Sequence, residues 1–159
     1  MTRVLFVCLG NICRSPMAEG TFRALMAEAG LGDAIDIDSA GTGSWHVGQP
    51  PDPRAQETAA RRGIDISAQR ARQVTLNDFA TFDYVLAMDR DNLGNLMRAA
   101  PRDAHDRIGL FLRFASTPAL EDVPDPYYGG PDGFDHVFDL VHDASGGLLR
   151  HIRAHHLGR

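Results

Sequence analysis

The segment Cys8-Leu-Gly-Asn-Ile-Cys-Arg-Ser15 brings a thiol, an arginine and a glycine into one short stretch of the chain. A thiol becomes a strong nucleophile once it loses its proton, and a guanidinium group can bind two oxygens of one anion. The segment follows the apolar, β-rich residues 3–7, which predict a buried strand. It ends where Ser15-Pro16 predicts the start of a helix. This setting is typical of a phosphate-binding loop, because the free N–H groups and the positive end of the helix dipole attract anions.

The backbone of this loop is predicted to curl around one anion, with Gly10 allowing the turn. The same field favours a thiolate, so we expect Cys8 to be ionised near neutral pH. Arg14 is expected to bind two phosphate oxygens, and Ser15 to donate a hydrogen bond to the Cys8 sulfur when it becomes a leaving group. Simpler interpretations stay open for single residues. Cys8 is also typical of a small buried residue that ends a strand, and Ser15 of a helix N-cap.

A thiolate that attacks a phosphate ester needs a proton for the departing oxygen, and Asp125 is the candidate acid. It lies within residues 122–133, which are rich in Pro, Gly and Asp and predict a long loop. Pro126 favours an extended conformation for the residue before it, which would aim the carboxyl group of Asp125. Tyr127 and Tyr128 suit the wall of a slot for an aromatic ring. The alternative is a solvated aspartate in a turn beside two core tyrosines.

Predicted strands and helices alternate along the sequence. Strands are predicted at residues 3–7, 36–39, 84–88 and 107–112, and helices at residues 15–30, 52–63, 89–99 and 134–155. Gly146-Gly147 is expected to weaken or kink the last helix. The alternation predicts one α/β domain with a parallel, doubly wound sheet. Ligands of such sheets bind beyond the carboxyl ends of the strands, which is where Cys8 falls.

Length and composition exclude several classes of protein. The 159 residues suit one domain, and the net charge of −5 argues against nucleic acid as a partner. The sequence has no run of about 18 apolar residues, so no membrane span is predicted. The N-terminus lacks the pattern of a secretory signal, and a cytoplasmic location is therefore expected.

The two cysteines, Cys8 and Cys13, are too few for a disulfide framework. In a reducing compartment they are expected to be thiols. Because both belong to a loop that must curl around one anion, oxidants are expected to join them in a reversible disulfide. The alternative is that Cys13 is a buried side chain that faces the sheet.

Two segments together, Val7-Cys-Leu-Gly-Asn-Ile-Cys-Arg-Ser-Pro16 and Asp125-Pro-Tyr-Tyr-Gly129, resemble the low-molecular-weight protein tyrosine phosphatases. Shorter stretches fit the same family in the same order: Ser39-Ala-Gly-Thr42, Trp45-His-Val-Gly48, Asp52-Pro-Arg54, Ala71-Arg-Gln73 and Phe82-Asp-Tyr84 through Met88-Asp89. The resemblance implies a single domain over residues 1–159, with a four-stranded parallel sheet flanked by helices on both faces. It also implies hydrolysis of protein phosphotyrosine and of small aryl phosphates through a cysteinyl-phosphate, without metal or cofactor. Phosphotyrosine-containing proteins are then the partners, and inorganic phosphate and vanadate are expected inhibitors.

The resemblance assigns roles residue by residue. Cys8 corresponds to the nucleophile, Arg14 to the transition-state clamp and Asp125 to the acid that later acts as the base for water. Asn11 corresponds to the residue that holds the shape of the phosphate loop, and Ser15 to the one that stabilises the thiolate. The whole set of loop-supporting positions is Leu9, Gly10, Asn11, Ile12, Cys13 and Ser15.

The substrate slot of the family corresponds to Leu9, Trp45, His46, Tyr127 and Tyr128. From the residues alone, Trp45 is favoured as a recognition residue over a core residue, because it is the only tryptophan and lies in a glycine-rich loop. His46 is interpreted equally well as a donor in the slot or as a solvated side chain.

The chain departs from the family at Gln69, where many members carry a histidine in the network that supports the loop asparagine. Glutamine can form hydrogen bonds but cannot become cationic, so loop rigidity is expected to differ modestly. Asp89 has two interpretations, a partner of the loop arginine or an N-cap, and the N-cap is favoured. His151, His155 and His156 include an i,i+4 pair, but a solvated helix end is favoured and no metal site is predicted.

Three other functions compete with tyrosine phosphatase activity. Arsenate reduction on the same scaffold needs a resolving pair of cysteines after the loop, and no cysteine follows Cys13. Phosphoarginine phosphatases tend to carry threonine at the position of Ile12, whose apolar side chain fits the tyrosine-specific type. A phosphopeptide-binding module would need neither a nucleophile nor an acid, so the presence of Cys8, Arg14 and Asp125 together argues against it.

Overall fold

Four strands form a single parallel sheet, which confirms the predicted α/β architecture. The computed structural model describes residues 1–116, 121–126 and 132–155. The strands are β1 (Thr2–Cys8), β2 (Ile35–Gly41), β3 (Tyr84–Ala87) and β4 (Ile108–Leu110), in the order β2-β1-β3-β4. The helices are α1 (Arg14–Glu28), α2 (Pro53–Arg61), α3 (Leu76–Thr81), α4 (Arg90–Ala99) and α5 (Gly133–His155), with short 3-10 helices at Arg102–Arg107 and Phe111–Phe114.

The strand β1 separates two hydrophobic cores. Val4 and Phe6 belong to the core beneath α1, α2 and α5, whereas Leu5 and Val7 belong to the core beneath α3 and α4. All four side chains are fully buried. Successive side chains of a strand point to opposite faces, so a strand covered on both faces has a continuous apolar run. The helices therefore flank both faces of the sheet, as predicted.

The carboxyl ends of the strands gather the loops that carry the candidate site. Cys8, the last residue of β1, pairs with Gly41, the last residue of β2. Residues 121–126 return to the same edge, because the N–H of Val123 donates to the carbonyl of Met88 at 2.7 Å. Segments far apart in the sequence thus meet where a doubly wound sheet binds its ligands.

The fourth strand is shorter than predicted. It covers Ile108–Leu110 rather than residues 107–112, because Phe111 and Leu112 begin a 3-10 helix. Both of these side chains are fully buried, and Phe111 packs edge-on against Phe6 with ring centroids 5.0 Å apart. The apolar character of this stretch reflects core packing as well as strand pairing.

Helix starts were partly predictable from capping residues. Asp52 and Asp89 act as N-caps, accepting hydrogen bonds from backbone N–H groups in the first turns of α2 and α4. The prediction that Ser15 is an N-cap is wrong, since α1 begins at Arg14 and Cys13 holds the cap position without a side-chain bond. The hydroxyl of Ser15 is used elsewhere in the site.

The final helix remains helical through Gly146 and Gly147, so the predicted weakening produces no break. A Cβ on Gly147 would collide with the carbonyl group of Phe114, and this glycine therefore serves close packing between α5 and the 3-10 helix. Within the ranges that the structure describes, none of the helices combines the length and the apolar character that a membrane span requires.

Candidate active site

The loop between β1 and α1 wraps around the sulfur of Cys8. The backbone N–H of Asn11 donates to Cys8 Sγ at 3.2 Å. Asn11 has a φ of 57°, in the left-handed region that asparagine tolerates better than most residues, and this conformation turns the loop back on itself. Gly10 is needed for a different reason, because a Cβ at this position would lie 2.9 Å from Cδ2 of His46.

The side chain of Asn11 fixes the loop from within. Its Oδ1 accepts a hydrogen bond from the N–H of Arg72 at 3.0 Å, which identifies Nδ2 as the donor group. Nδ2 donates to Ser15 Oγ at 2.8 Å and to Ser39 Oγ at 3.0 Å. Asn11, Ser15 and Ser39 are all buried, so these bonds lie in a low dielectric where they are strengthened. The loop is thereby tied to both α1 and β2.

Ser15 lies directly beside the candidate nucleophile, with Oγ 3.0 Å from Cys8 Sγ. Since Ser15 Oγ already accepts a hydrogen bond from Asn11 Nδ2, its own hydrogen is free to point at the sulfur. A thiolate can only accept hydrogen bonds. The arrangement therefore suits an ionised sulfur at Cys8.

Glu19 ends this series of hydrogen bonds behind the loop. Ser39 Oγ donates to Glu19 Oε1 at 2.7 Å, and Arg23 Nε donates to Glu19 Oε2 at 3.0 Å. Burial raises the pKa of the Glu19 carboxyl above its ordinary value, although the bonds from Ser39 and Arg23 partly oppose the shift. Hydrogen bonds therefore run without a break from Glu19 to Cys8.

Arg14 is buried at the start of α1 with its guanidinium held on one side. Its Nη1 donates to Asp89 Oδ2 at 2.6 Å and to the carbonyl of Val123 at 3.0 Å, and its Nη2 lies 3.8 Å from Asp125 Oδ2. Burial by itself lowers the pKa of Arg14. The negative charge of Cys8 and the hydrogen bond and charge of Asp89 outweigh it, so the pKa of Arg14 lies above its ordinary value. The guanidinium is thus a fixed positive charge.

A cavity of about 150 Å³ opens above the loop, and these groups line it. Its walls contain the thiol of Cys8, the guanidinium of Arg14 and the carboxyl of Asp125, whose side chain is 36% exposed. The full lining is Cys8, Leu9, Gly10, Ile12, Cys13, Arg14, Trp45, His46 and Asp125. The arrangement places a thiol, a guanidinium group and a carboxyl group together in a pocket large enough for a phosphate group.

The sequence model of the low molecular weight phosphotyrosine protein phosphatases matches residues 3–157. The chain belongs to this family. It is 48% identical over 151 residues to the low molecular weight phosphotyrosine protein phosphatase of Schizosaccharomyces pombe, covering 94% of this chain and 96% of the relative. These similarities establish the chain as a protein tyrosine phosphatase.

Solved structures agree with this assignment. A protein tyrosine phosphatase from Entamoeba histolytica superposes with a TM-score of 0.93 at 39% identity, covering 97% of this chain and 98% of that one. A Drosophila arginine phosphatase superposes with a TM-score of 0.88 at 33% identity, covering 96% of this chain and 98% of that one. The fold of this phosphatase is therefore shared with enzymes of more than one named activity.

The predicted substrate slot lies only partly within the described residues. Leu9, Trp45 and His46 line the cavity, and Trp45 is 71% exposed, which rules out the core interpretation. His46 Nδ1 lies 2.9 Å from Gln49 Oε1, so this ring is oriented by its own loop. The predicted aromatic wall formed by Tyr127 and Tyr128 lies outside the described residues.

Several residues of the phosphatase site were given no role from the sequence. Ser39 and Arg72 lie in stretches that match the family, but nothing in those stretches indicates contact with Asn11. Asp89, in contrast, has both of the roles considered for it from the sequence, N-cap and partner of Arg14, since its two carboxylate oxygens accept different bonds. The sequence does not indicate a role for Glu19. Residues 14–22 of α1 are all buried, so this half of the helix has no polar face from which a buried carboxyl group could be distinguished.

Gln69 does not take part in the network around Asn11. Its Nε2 donates to the carbonyl of Pro16 at 3.1 Å, and its buried Oε1 makes no hydrogen bond within the described part of the chain. The side chains that support Asn11 are instead Ser15 and Ser39, together with the N–H of Arg72. The expected effect of Gln69 on the loop asparagine is therefore at most indirect.

The C-terminal histidines form a stacked pair rather than an open cluster. The rings of His151 and His155 stack with centroids 4.1 Å apart, and His151 also meets the edge of Tyr84. His156 lies outside the described residues. Among those that are described, no group of three or more His, Cys, Asp or Glu side chains is arranged to hold a metal ion.

Proposed function

We propose that this phosphatase hydrolyses phosphotyrosine in proteins, and small aryl phosphates, through a cysteinyl-phosphate formed on Cys8. The observation that carries the proposal is the convergence of Cys8, Arg14 and Asp125 on one cavity. A module that only binds phosphopeptides would use the loop and Arg14, but it would have no use for the thiol or the acid. The presence of all three groups therefore favours an enzyme over a module that only binds phosphopeptides.

In the first step, the thiolate of Cys8 attacks phosphorus, and a sulfur–phosphorus bond forms as the bond to the phenolic oxygen breaks. Asp125 supplies the proton that this oxygen needs to leave as tyrosine. Arg14 has Nη1 engaged by Asp89 and Val123, so Nε and Nη2 are the donors left to bind two phosphate oxygens. The loop N–H groups bind the remaining negative charge.

In the second step, the ionised Asp125 removes a proton from water, which attacks phosphorus and releases inorganic phosphate. The electron pair of the sulfur–phosphorus bond returns to Cys8, and the hydrogen bond from Ser15 stabilises the sulfur as it leaves. Inorganic phosphate and vanadate fit the same cradle and are expected to inhibit. The cofactor-free reaction and the cytoplasmic location remain predictions of the sequence.

The lining of the cavity supports phosphotyrosine as the substrate. Ile12 and Leu9 are apolar and Trp45 offers an aromatic face, so the walls suit the ring of phosphotyrosine. Phosphoserine is shorter and its phosphate would not reach Cys8 while its backbone stays outside. Phosphoarginine would bring a charged guanidinium group against Ile12, at an unfavourable desolvation cost.

The test compares three peptides of one sequence that carry phosphotyrosine, phosphoserine or phosphoarginine at the same position. We expect kcat/KM for phosphotyrosine to exceed the other two by orders of magnitude, as measured by phosphate release. Comparable rates on phosphoarginine would instead assign the activity named for the Drosophila structure. If the enzyme hydrolyses neither p-nitrophenyl phosphate nor any of the three peptides, the proposal is wrong.

A further inference from the structure

A second groove, of about 420 Å³, opens beside the catalytic cavity. The two spaces share Leu9 and Trp45 in their walls, so they adjoin at these two side chains. Beyond them, the groove runs between the loop that follows β2 and the helices α3 and α4. Its lining is Leu9, Thr42, Gly43, Trp45, Gln73, Val74, Thr75, Leu76, Phe79, Asn95, Leu96 and Ala99.

Exposed apolar side chains concentrate in this groove. Large hydrophobic residues that are exposed in the described part of the chain are Met1, Leu9, Trp45, Val47 and Leu76. Three of them, Leu9, Trp45 and Leu76, line the groove, and the exposed fractions of Trp45 and Leu76 reach 71% and 72%. Exposed apolar side chains gathered at a concave surface are typical of a groove that binds another molecule.

The floor and the wall of the groove are firmly built. Phe79 and Leu96 form a buried apolar floor, as both are at most 2% exposed. Trp45 lies against Gly43, where a Cβ would collide with the indole ring. Because glycine has no side chain, the indole of Trp45 can lie between the two cavities. The groove is therefore a feature of the packing of α3 and α4 against the loop after β2.

The groove carries hydrogen-bonding groups but no charge. None of its lining residues, all of which the structure describes, is acidic or basic. Thr42 Oγ1 is buried and makes no hydrogen bond within the described residues, and Gln73 Nε2 donates to the carbonyl of Thr42 at 3.2 Å. A cation, Arg98, binds the side chain of Asn95 at the margin of the groove. The groove thus suits an uncharged side chain.

We infer that this groove binds an aliphatic side chain of the substrate protein that lies within about three residues of the phosphotyrosine. The inference rests on the proposed function, because Leu9 and Trp45 belong to the walls of both spaces and a peptide that leaves the catalytic cavity over them passes directly onto the groove. An extended chain advances about 3.3–3.6 Å per residue, so a near neighbour in the peptide reaches the adjoining groove. The occupant is uncharged, since burying an unpaired charge among these side chains would be costly.

The first test uses the unmodified enzyme and phosphotyrosine peptides that are serine-rich at the other positions. Leucine, serine or aspartate is placed in turn at each position from three before to three after the phosphotyrosine. At one position at least, leucine should raise kcat/KM about tenfold or more over serine and aspartate. Equal values within twofold at every position, with p-nitrophenyl phosphate still hydrolysed, would overturn the inference and leave the proposed function intact.

A preference for aspartate would also overturn it, and would assign peptide recognition to the charge of Arg98. Loss of hydrolysis on p-nitrophenyl phosphate as well as on every peptide would instead mean that the proposed function itself has failed, and the inference with it.

The second test introduces a charge into the groove. The preference for leucine is the ratio of kcat/KM for the leucine and serine peptides, taken at the position where leucine raises kcat/KM in the first test. Leu76→Asp should reduce this ratio at least fivefold. Val47→Asp makes the same change at an exposed apolar residue outside the lining, and should keep the preference. An unchanged ratio in folded Leu76→Asp would overturn the inference. Should that variant fail to fold, the peptide series on the unmodified enzyme decides alone.

Discussion

Asn11 Nδ2 lies 2.8 Å from Ser15 Oγ, and this one bond decides which way the serine hydrogen points. Because the asparagine nitrogen can only donate, Ser15 must accept from it and is left to donate to Cys8 Sγ at 3.0 Å. The direction of the bond is set by Arg72, whose N–H occupies Asn11 Oδ1. A backbone group far along the chain therefore controls the polarity of the hydrogen bond at the sulfur.

The first prediction reverses this polarity with an isosteric change. Asn11→Asp replaces the donor Nδ2 by an acceptor, so the Ser15 hydrogen should turn away from Cys8 toward the new carboxylate. Losing a charge-assisted hydrogen bond costs about 1.5–3 kcal/mol, which predicts a fall in kcat of roughly 10- to 100-fold. Steady-state kinetics on p-nitrophenyl phosphate measure it. Asn77→Asp, the same change at an exposed residue on α3, should have no effect. An equally active Asn11→Asp would show that the bond direction does not matter.

The second prediction concerns the nucleophile. Cys8→Ser should abolish turnover while inorganic phosphate or vanadate still binds, because the loop N–H groups and Arg14 remain but a serine hydroxyl does not ionise in the same field. Binding is measured by calorimetry and turnover by phosphate release. Substantial hydrolysis by this variant would assign the nucleophile to another residue.

These residues differ in how far the sequence reveals them. Cys8 and Arg14 were predictable, because a strand, a short loop and a helix start place both residues by local rules alone. The partnership of Arg14 with Asp89 was one of two interpretations and the N-cap was favoured over it, since the sequence cannot show that the second oxygen of Asp89 faces α1. Long-range contacts of this kind depend on the order of the strands, which β-propensity does not determine.

The geometry around Asn11 was also beyond the sequence. Its φ of 57° follows from the closure of the loop around the sulfur and not from its neighbours in the chain. Glu19 was missed for a related reason. An acidic residue in a helix usually faces water, and its burial against Ser39 becomes visible only when α1 is packed onto β2.

The third prediction tests the acid. Asp125→Asn should slow aryl phosphates with poor leaving groups by about 10²–10⁴, the usual size of general acid catalysis, and good leaving groups far less. Rates for a series of substituted phenyl phosphates measure this difference. Glu121→Gln, at an exposed side chain of the same segment, should leave the series unchanged. A small and equal loss for every leaving group would place the acid elsewhere.

The fourth prediction concerns stability and follows from the buried carboxyl of Glu19. Its pKa in the folded protein lies above the ordinary value of 4.5, so the folded protein holds this proton more tightly than the unfolded chain. The stabilisation is complete below about pH 4.5 and is lost as the pH rises through the higher folded pKa. It amounts to about 1.4 kcal/mol for each tenfold difference in proton affinity.

Glu19→Gln is uncharged at every pH and keeps an oxygen that can accept from Ser39. Denaturant unfolding between pH 4 and 8 should therefore show less loss of stability with rising pH in this variant than in the unmodified protein. Glu28→Gln, at an exposed position of the same helix, is the matched control and should not change the slope. Parallel stability curves for Glu19→Gln and the unmodified protein would mean that Glu19 titrates normally.

The last prediction concerns Cys13, which lines the same cavity as Cys8 and is almost completely buried. Burial, followed by the negative charges of Asp52 and Cys8, raises the pKa of Cys13 far above that of a free thiol. Cys13 is therefore protonated during turnover and does not compete with Cys8 for the substrate. Oxidation of Cys8 removes one of the negative charges that hold the proton on Cys13. The Cys13 thiol can then lose this proton more easily and react with the oxidised Cys8.

We expect peroxide to inactivate the enzyme reversibly through a Cys8–Cys13 disulfide. Peroxide oxidises the Cys8 thiolate to a sulfenic acid, and the Cys13 thiol then displaces water from that sulfur to form the bond, in a two-electron oxidation overall. Dithiothreitol should restore activity, and mass spectrometry should detect the linked peptide. Cys13→Ser should keep most of its activity but recover poorly after the same treatment, because Cys8 then oxidises further to forms that thiols cannot reduce. Recovery of Cys13→Ser as complete as that of the unmodified enzyme would show that Cys13 is only a buried side chain of the loop.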